Sequence, residues 1–278
     1  MSIWYDLLSN LPFPWLQFTF MKNALLAVLL ITPLFGLLGT MVVNNKLAFF
    51  SDTIGHAALT GIAIGVLLGF QNPLLAMLFF AAGIAVAVTA VKNITRFSPD
   101  TVIGVFSATA VALGIVILSR NGGFNRYTGF LIGDILSISP WEIAAVGGVL
   151  LAVILLWVLM FNKLLLASLN PALARSRGIP VLAIEMIFTV LIAIVVTVAI
   201  RWVGILVINS LLILPAAASR NMALNMKGYH RCALGISIFA GISGLILSYY
   251  WGTATGATIV LCTAVIFIFS LLAKIKSA

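Results

Sequence analysis

The stretch MKNALLAVLLITPLFGLLGTMVV, residues 21–43, decides the fold of this chain. It contains one charged residue, Lys22, and about 20 predominantly apolar residues are enough for an α-helix to cross a lipid bilayer. Similar segments recur along the sequence, and together they predict about nine membrane-spanning helices. The other segments are 51–70, 73–91, 100–119, 141–160, 180–200, 203–219, 231–250 and 253–273. The predicted fold is therefore an all-α, polytopic transmembrane helix bundle.

The composition of the chain agrees with a membrane environment. Of its 278 residues, 63% are hydrophobic and only 8% are charged, whereas a soluble domain carries about 25% charged residues. The net charge of +9 raises nucleic acid as a partner. The basic residues, however, stand singly or in small groups between apolar runs, which is typical of membrane loops. We therefore expect the lipid bilayer as a partner and no nucleic-acid binding.

The positions of lysine and arginine predict the orientation, because cytoplasmic loops are enriched in both. With the C-terminus, including Lys274 and Lys276, in the cytoplasm, the inner loops and tail hold eleven basic residues and the outer side holds four. The reverse orientation inverts this ratio. We predict a cytoplasmic C-terminus and, with an odd number of spans, an N-terminus on the outer side. The N-terminus has no basic leader, so we expect no cleavable signal peptide.

Two segments are not expected to cross the membrane. Residues 1–20 are rich in aromatic side chains, which suits a segment at the outer interface; a disordered tail is the alternative. The segment TGFLIGDILSIS, residues 128–139, is too short to cross and is predicted to be re-entrant, with its backbone satisfied inside the protein. Its Asp134 either lines a path or caps a half-helix. Residues 21–278 form the predicted transmembrane domain.

Ionisable residues inside spans are costly and therefore point to function. In FFSDTIGHAALTGIAIG, residues 49–65, Asp52 and His56 are four residues apart and share one helix face. A carboxylate and an imidazole so placed can both reach one divalent cation, and their oxygen and nitrogen ligands suit zinc, manganese or iron(II). The alternative is that Asp52 caps the helix and bonds His56.

The segment RWVGILVINSLLILPAAASR, residues 201–220, combines an apolar span with residues that interrupt it. Asn209 and Ser210 are polar, and Pro215 removes a backbone donor and bends the helix. Breaks of this kind lie near pathways in helix bundles. We predict that these three residues, together with Asp134, line or gate a path.

The longest inner loop, NKLLLASLNPALARSRGIP at residues 162–180, carries the signals of a short helix over about 171–178. Asn170 followed by Pro171 is typical of an N-cap and first helical residue, and Gly178 ends the helix. The helix includes Ala174 and the basic residue Arg175. It either docks in a groove of a soluble partner or is an ordinary surface helix.

Motifs for hydrolytic chemistry are absent from the sequence. It contains no HExxH, no GxSxG and no GxxxxGK[ST] phosphate-binding loop. We therefore predict that the chain is not an enzyme and does not hydrolyse ATP.

In order and spacing, these motifs resemble those of the permeases of ATP-binding-cassette importers for zinc, manganese and iron(II). The resemblance extends from about Phe20 to about Phe269. SDTIGHAALTG matches the family pattern at Asp52, His56 and Gly61, with Thr60 where the family usually has proline. IGDILSISP, VGILVINSLLILPAAASR and TATGATIVLC are similar to further family signatures, and LNPALARSRGIP resembles the coupling helix.

The resemblance implies a multi-pass permease in the bacterial cytoplasmic membrane that works with several partners. These are a second permease copy in a homodimer, a cytoplasmic ATP-binding subunit and an extracytoplasmic metal-binding protein. It also implies that Asp52 and His56 line the ion pathway, and that Pro171, Ala174, Arg175 and Gly178 belong to the coupling element. The metal is then the transported ion rather than a permanent cofactor. SDT and FLIGDIL look more like zinc permeases than manganese ones, so we favour zinc, then manganese, then iron(II).

Two other classes of function remain as alternatives. A proton-coupled secondary transporter would use Asp52, Asp134 and Glu185 as a relay, without any partner. A membrane metalloenzyme would need a second ligand cluster, which two histidines cannot supply. The resemblance to a coupling helix and the lack of a visible inverted repeat argue against the secondary transporter.

Overall fold

A computed structural model of the chain describes residues 2–9, 12–70, 74–120 and 133–277. Within these ranges it contains eleven α-helices, two short 3-10 helices (Pro14–Gln17 and Ile135–Ser137) and no β-strand. The α-helices are α1 Ser2–Ser9, α2 Thr19–Asn44, α3 Phe50–Leu67, α4 Leu74–Ile94, α5 Pro99–Arg120, α6 Pro140–Leu169, α7 Pro171–Ser176, α8 Val181–Val203, α9 Ile205–Met222, α10 Met226–Trp251 and α11 Thr255–Ser277. The predicted all-α helix bundle is confirmed.

Eight helices among the described residues are long and apolar enough to cross a membrane, namely α2 to α6, α8, α10 and α11. They correspond to eight of the nine predicted spans. The remaining predicted span, 203–219, coincides with α9, which is not one of these eight. The predicted re-entrant segment 128–139 lies partly outside the described residues. Its described part contains the 3-10 helix Ile135–Ser137.

The chain divides into two compact units, and each is built from close helix packing. The first unit comprises Met1–Thr40, Ile132–Leu151 and Trp202–Ala278. Here Gly39 of α2 touches the backbone of α9, since a Cβ at that position would overlap the carbonyl oxygen of Leu212. Gly244 of α10 lies against Ile259 of α11 in the same way. Small residues at these crossings let the helix backbones approach closely, as is common in membrane bundles.

The second unit comprises Met41–Leu131 and Ala152–Arg201, and its centre is α3. Twelve of the 18 residues of α3 are buried, although only a few of them are large. Gly61 of α3 lies against the backbone of α4 at Met77, and Gly114 of α5 lies against Thr60. Because α4 and α5 cover most of its surface, α3 is a core helix with one open face.

The N-terminal segment is tied to the beginning of α2 in the first unit. The Lys22 ammonium donates to Ser9 Oγ over 2.6 Å, the Tyr5 hydroxyl donates to Asn23 Oδ1 over 2.6 Å, and Trp4 Nε1 donates to the Lys22 carbonyl over 3.2 Å. These bonds order the segment, in contrast to the disordered-tail alternative. Its location at the outer membrane interface stays a prediction.

Candidate metal site and coupling element

Asp52 and His56 lie on the first two turns of α3, with His56 Nε2 3.6 Å from Asp52 Oδ2. The helix begins at Phe50 and its N-cap residue is Phe49, which makes no side-chain capping bond. Asp52 is therefore inside the first turn rather than at the capping position. Its negative charge is nevertheless favourable there, because the positive end of the helix dipole is close.

The burial pattern of α3 leaves this pair on the open face. The side chains of Asp52 and His56 are 32% and 28% exposed, and Leu59 one turn further is also half-buried. The intervening residues 53–55 and 57–58 are buried. The three open positions follow the spacing of one helix face, so a carboxylate and an imidazole point away from the packing against α4 and α5. In an apolar bilayer these groups require a polar or protein environment.

The pair offers two ligands of the type that borderline metal ions accept, one oxygen and one nitrogen. In the part of the chain that the structure describes, no group of three or more His, Cys, Asp or Glu residues is placed to hold a metal ion. A tetrahedral zinc site needs four ligands. Asp52 and His56 amount to two ligands of this type.

Two threonine hydroxyls fix how α3 sits against α5. Thr53 Oγ1 lies 3.4 Å from the carbonyl oxygen of Ile103, and Thr60 Oγ1 lies 2.6 Å from that of Ala110. Thr53 and Thr60 are seven residues apart and occupy one face, beside the face of Asp52 and His56. In the sequence, Thr60 stood out only because the family usually has proline at this position. The seven-residue spacing of the threonines was the available signal for this contact.

Gly61→Ala is expected to lower the thermal stability of the purified protein, because a Cβ at this position would lie 2.7 Å from Met77 Cα and 2.9 Å from the Ala76 carbonyl oxygen. Both contacts are to backbone, so α3 and α4 must separate, and overpacking of this kind costs about 1–3 kcal/mol. The measurement is the unfolding midpoint in detergent. Gly83→Ala in α4 is the matched control, since no atom lies within 4 Å of its new Cβ. Equal midpoints for the two variants would contradict the prediction.

The segment predicted as the coupling element forms a short helix, Pro171–Ser176. Asn170 is the N-cap of α7 and its Oδ1 accepts a bond from the Leu173 amide over 3.0 Å, while Pro171 is the first helical residue. Gly178 has a φ of +72° and lies just beyond the helix end. A positive φ at this position favours glycine.

One residue anchors α7 to the second unit. Ala174 is fully buried and packs with Ala167 at the end of α6 and Val181 at the start of α8. Pro171, Arg175 and the other residues from 171 to 178 are exposed. The helix is therefore held on one side and presents a basic surface on the other.

The four residues predicted to line or gate a path, which here are called the path candidates, all belong to the first unit but lie in different surroundings. They are Asp134, Asn209, Ser210 and Pro215. Pro215 is buried inside α9, and Asn209 and Ser210 are half-buried on the same helix. Asp134 is the N-cap of the 3-10 helix, where its Oδ1 accepts a bond from the Leu136 amide over 3.1 Å. Its capping role is thus observed.

Asp134 also lines a cavity of about 170 Å³ in the first unit. The wall includes Thr32 of α2, Trp202 and Thr255, and the buried Trp202 indole N–H has no hydrogen-bond acceptor among the residues that the structure describes. Asn209, Ser210 and Pro215 are not among the residues that line this cavity. Of the four path candidates, Asp134 is the one that lines this cavity.

A polar contact between α4 and α8 was missed in the sequence. Lys92 Nζ lies 3.2 Å from Glu185 Oε2, and the Asn93 side-chain amide donates to the same oxygen over 2.9 Å. One turn further into both helices, the hydroxyls of Thr89 and Thr189 are 2.8 Å apart. The available signal was the position of Lys92 and Glu185 near the ends of the apolar segments 73–91 and 180–200.

Comparisons with known proteins agree with the motif pattern. The profile of the ABC 3 transport family matches residues 17–274. The high-affinity zinc uptake system membrane protein ZnuB of Haemophilus influenzae is 33% identical over 257 residues, which are 92% of this chain and 98% of that protein. The manganese import system permease protein ScaB of Streptococcus parasanguinis is 30% identical over 254 residues, which are 91% of this chain and 90% of that protein.

The fold is also similar to that of a solved transporter structure. PsaBC from Streptococcus pneumoniae, determined in complex with a Fab, superposes with a TM-score of 0.78 and 28% sequence identity. The superposition covers 97% of this chain and 94% of the other. The similarity therefore extends over the whole helix bundle rather than one motif.

Proposed function

The chain belongs to the ABC 3 transport family, and on this basis we propose that it is the permease subunit of an ATP-driven importer that conducts a divalent transition-metal ion, most favourably zinc, into the cytoplasm. The observation that carries the proposal is the Asp52–His56 pair on the open face of α3. A largely buried membrane helix leaves a carboxylate and an imidazole partly exposed together, which is costly unless they bind something.

A homodimer of permeases supports this role chemically. Each copy offers one carboxylate and one imidazole, so two copies would supply the four ligands of a tetrahedral site. Conduction also requires that the ion be released again, which suits a site whose ligands are divided between two subunits.

Zinc is the favoured ion because SDT and FLIGDIL look more like zinc permeases, and because a relative that is 33% identical over 98% of its length is named for high-affinity zinc uptake. Manganese is the second candidate, since a relative of similar identity is named for manganese import. The test is uptake of zinc and manganese, offered separately at equal concentration, by the complete transporter in proteoliposomes. Faster uptake of manganese than of zinc would overturn the choice of ion but leave the permease function intact.

The partners follow from the coupling element. The exposed basic surface of α7, which includes Arg175, and the exposed Gly178 just beyond the helix end would meet a cytoplasmic ATP-binding subunit that performs ATP hydrolysis. An extracytoplasmic metal-binding protein would deliver the ion on the opposite side. This arrangement places the C-terminus in the cytoplasm and the chain in the bacterial cytoplasmic membrane, with no permanently bound cofactor.

Metal uptake by the reconstituted permease is expected to require both the ATP-binding subunit and ATP. The reason is that the chain lacks a nucleotide-binding motif and presents a helix suited to a partner. The measurement compares uptake into vesicles containing the permease alone, with a proton gradient imposed, and the full complex with ATP. Uptake driven by the proton gradient in the permease alone would favour the secondary transporter instead. The secondary transporter would use Glu185 in its proton relay, but the Glu185 carboxylate is already in contact with Lys92.

A further inference from the structure

The polar contact between α4 and α8 combines an ion pair that is mostly shielded from solvent with a bond from Asn93, which is exposed. The side chains of Lys92 and Glu185 are 14% and 16% exposed. Asn93 adds a second donor to the Glu185 carboxylate, and the buried hydroxyls of Thr89 and Thr189 extend the contact into both helices. The two helices are therefore joined by a ladder of three polar contacts.

The ladder can do more than hold the two helices together. A buried ion pair loses much of its attraction to the cost of removing both charges from water, and apolar residues of similar size often stabilise as well or better. What an ion pair with an additional hydrogen bond does provide is a fixed relative position, since its geometry is specific. A fixed position between α4 and α8 matters if one helix must move the other.

One end of the ladder is connected to the coupling element α7. Ala174 of α7 packs with Val181 at the start of α8, and the Ile179 amide donates to the Ala174 carbonyl over 3.0 Å. Glu185 follows Val181 by four residues, so both lie on one face of α8. A displacement of α7 by a bound ATPase therefore moves the first turns of α8, including Glu185.

The other end of the ladder is connected to the metal-binding helix. Lys92 and Asn93 belong to α4, and α4 contacts α3 backbone to backbone where Gly61 meets Met77. Packed helices of this kind transmit displacement because the contact has no compressible space. All of these contacts lie within the second compact unit, which also contains Asp52 and His56.

We propose that Lys92 and Glu185 are positioning residues that transmit movement of the coupling element α7 through α8 and α4 to α3, where Asp52 and His56 hold the ion. The inference rests on the proposed function, since it assigns a role in coupling ATP hydrolysis to release of that ion. It assigns the pair no contact with the ion or with ATP.

The test uses the complete transporter with its ATPase and binding protein in proteoliposomes. Lys92→Met and Glu185→Gln each remove one charge, and the measured quantity is the number of zinc ions taken up per ATP hydrolysed. We expect this ratio to fall about tenfold, within the usual range of coupling between sites. Zinc binding to the complex without ATP should be unchanged, because the ion ligands are untouched. Lys227→Met is the control, since Lys227 is an exposed lysine of α10.

The charge-swapped variant Lys92→Glu/Glu185→Lys keeps one positive and one negative charge at this contact. It therefore tests the proposal even where a single variant fails to fold. We expect the swap to restore at least half of the wild-type ratio. The proposal would be overturned if the assembled single variants kept the wild-type ratio of zinc taken up to ATP hydrolysed. It would also be overturned if the assembled swap variant kept a low ratio. Asp52→Asn distinguishes failure of the coupling proposal from failure of the proposed function. If Asp52→Asn abolishes uptake while the Lys92 and Glu185 variants keep the wild-type ratio, only the coupling role is rejected.

Discussion

Asp52→Asn is expected to abolish zinc uptake by the assembled transporter. We expect the uptake rate to fall on the order of a hundredfold or more, because changes even to outer-shell partners of metal ligands lower metal affinity or activity about 10- to 100-fold. Asparagine keeps the shape of the side chain but removes the negative charge that compensates a divalent cation. His56→Leu should have a similar effect, because it removes the nitrogen ligand with little change in volume. The measurement is initial zinc uptake, alongside the amount of assembled complex.

Asp100→Asn provides a matched control for the loss of a carboxylate. Asp100 is an acidic residue in the first turn of α5, as Asp52 is in the first turn of α3, but it is exposed. We expect this variant to transport normally. Near-normal uptake by a well-assembled Asp52→Asn transporter would reject the metal role of the pair.

Gly178→Trp is expected to uncouple the transporter, lowering ATP-dependent uptake by about tenfold or more without preventing assembly of the permease. No atom lies within 4 Å of a Cβ built on Gly178, so an indole would project into the open space next to α7. That space is where the proposed ATP-binding subunit docks. The measurements are ATP-driven zinc uptake and stimulation of ATP hydrolysis by the metal-binding protein.

The positive φ of Gly178 requires a control for backbone strain, which a non-glycine residue incurs at such a position. Gly69 has a φ of +77° and equally open surroundings, in the connection after α3. Gly69→Trp therefore carries the same strain away from the coupling element and should remain coupled. Wild-type stimulation in Gly178→Trp would remove this loop from the proposed interface, whereas equal losses in both variants would attribute the effect to strain.

Local features of the sequence determined the class of fold and the form of the coupling element. Apolar segments of sufficient length become helices in a membrane because their backbone groups must be bonded within the segment. The helix α7 begins at Pro171 after the Asn170 cap and ends before Gly178, because capping and glycine conformations depend on neighbours within a few residues. The proximity of Asp52 and His56 likewise follows from their spacing of four.

The tertiary structure alone decided which of these residues have an open face and which are joined. The sequence placed Asp52 and His56 on one face of α3, but the packing of α4 and α5 made that face the exposed one. The contact of Lys92 with Glu185 connects residues 93 positions apart, and the bond of Thr60 to Ala110 spans 50. Such contacts depend on how separate helices pack, and the hydropathy of each helix carries no information about which neighbour it meets.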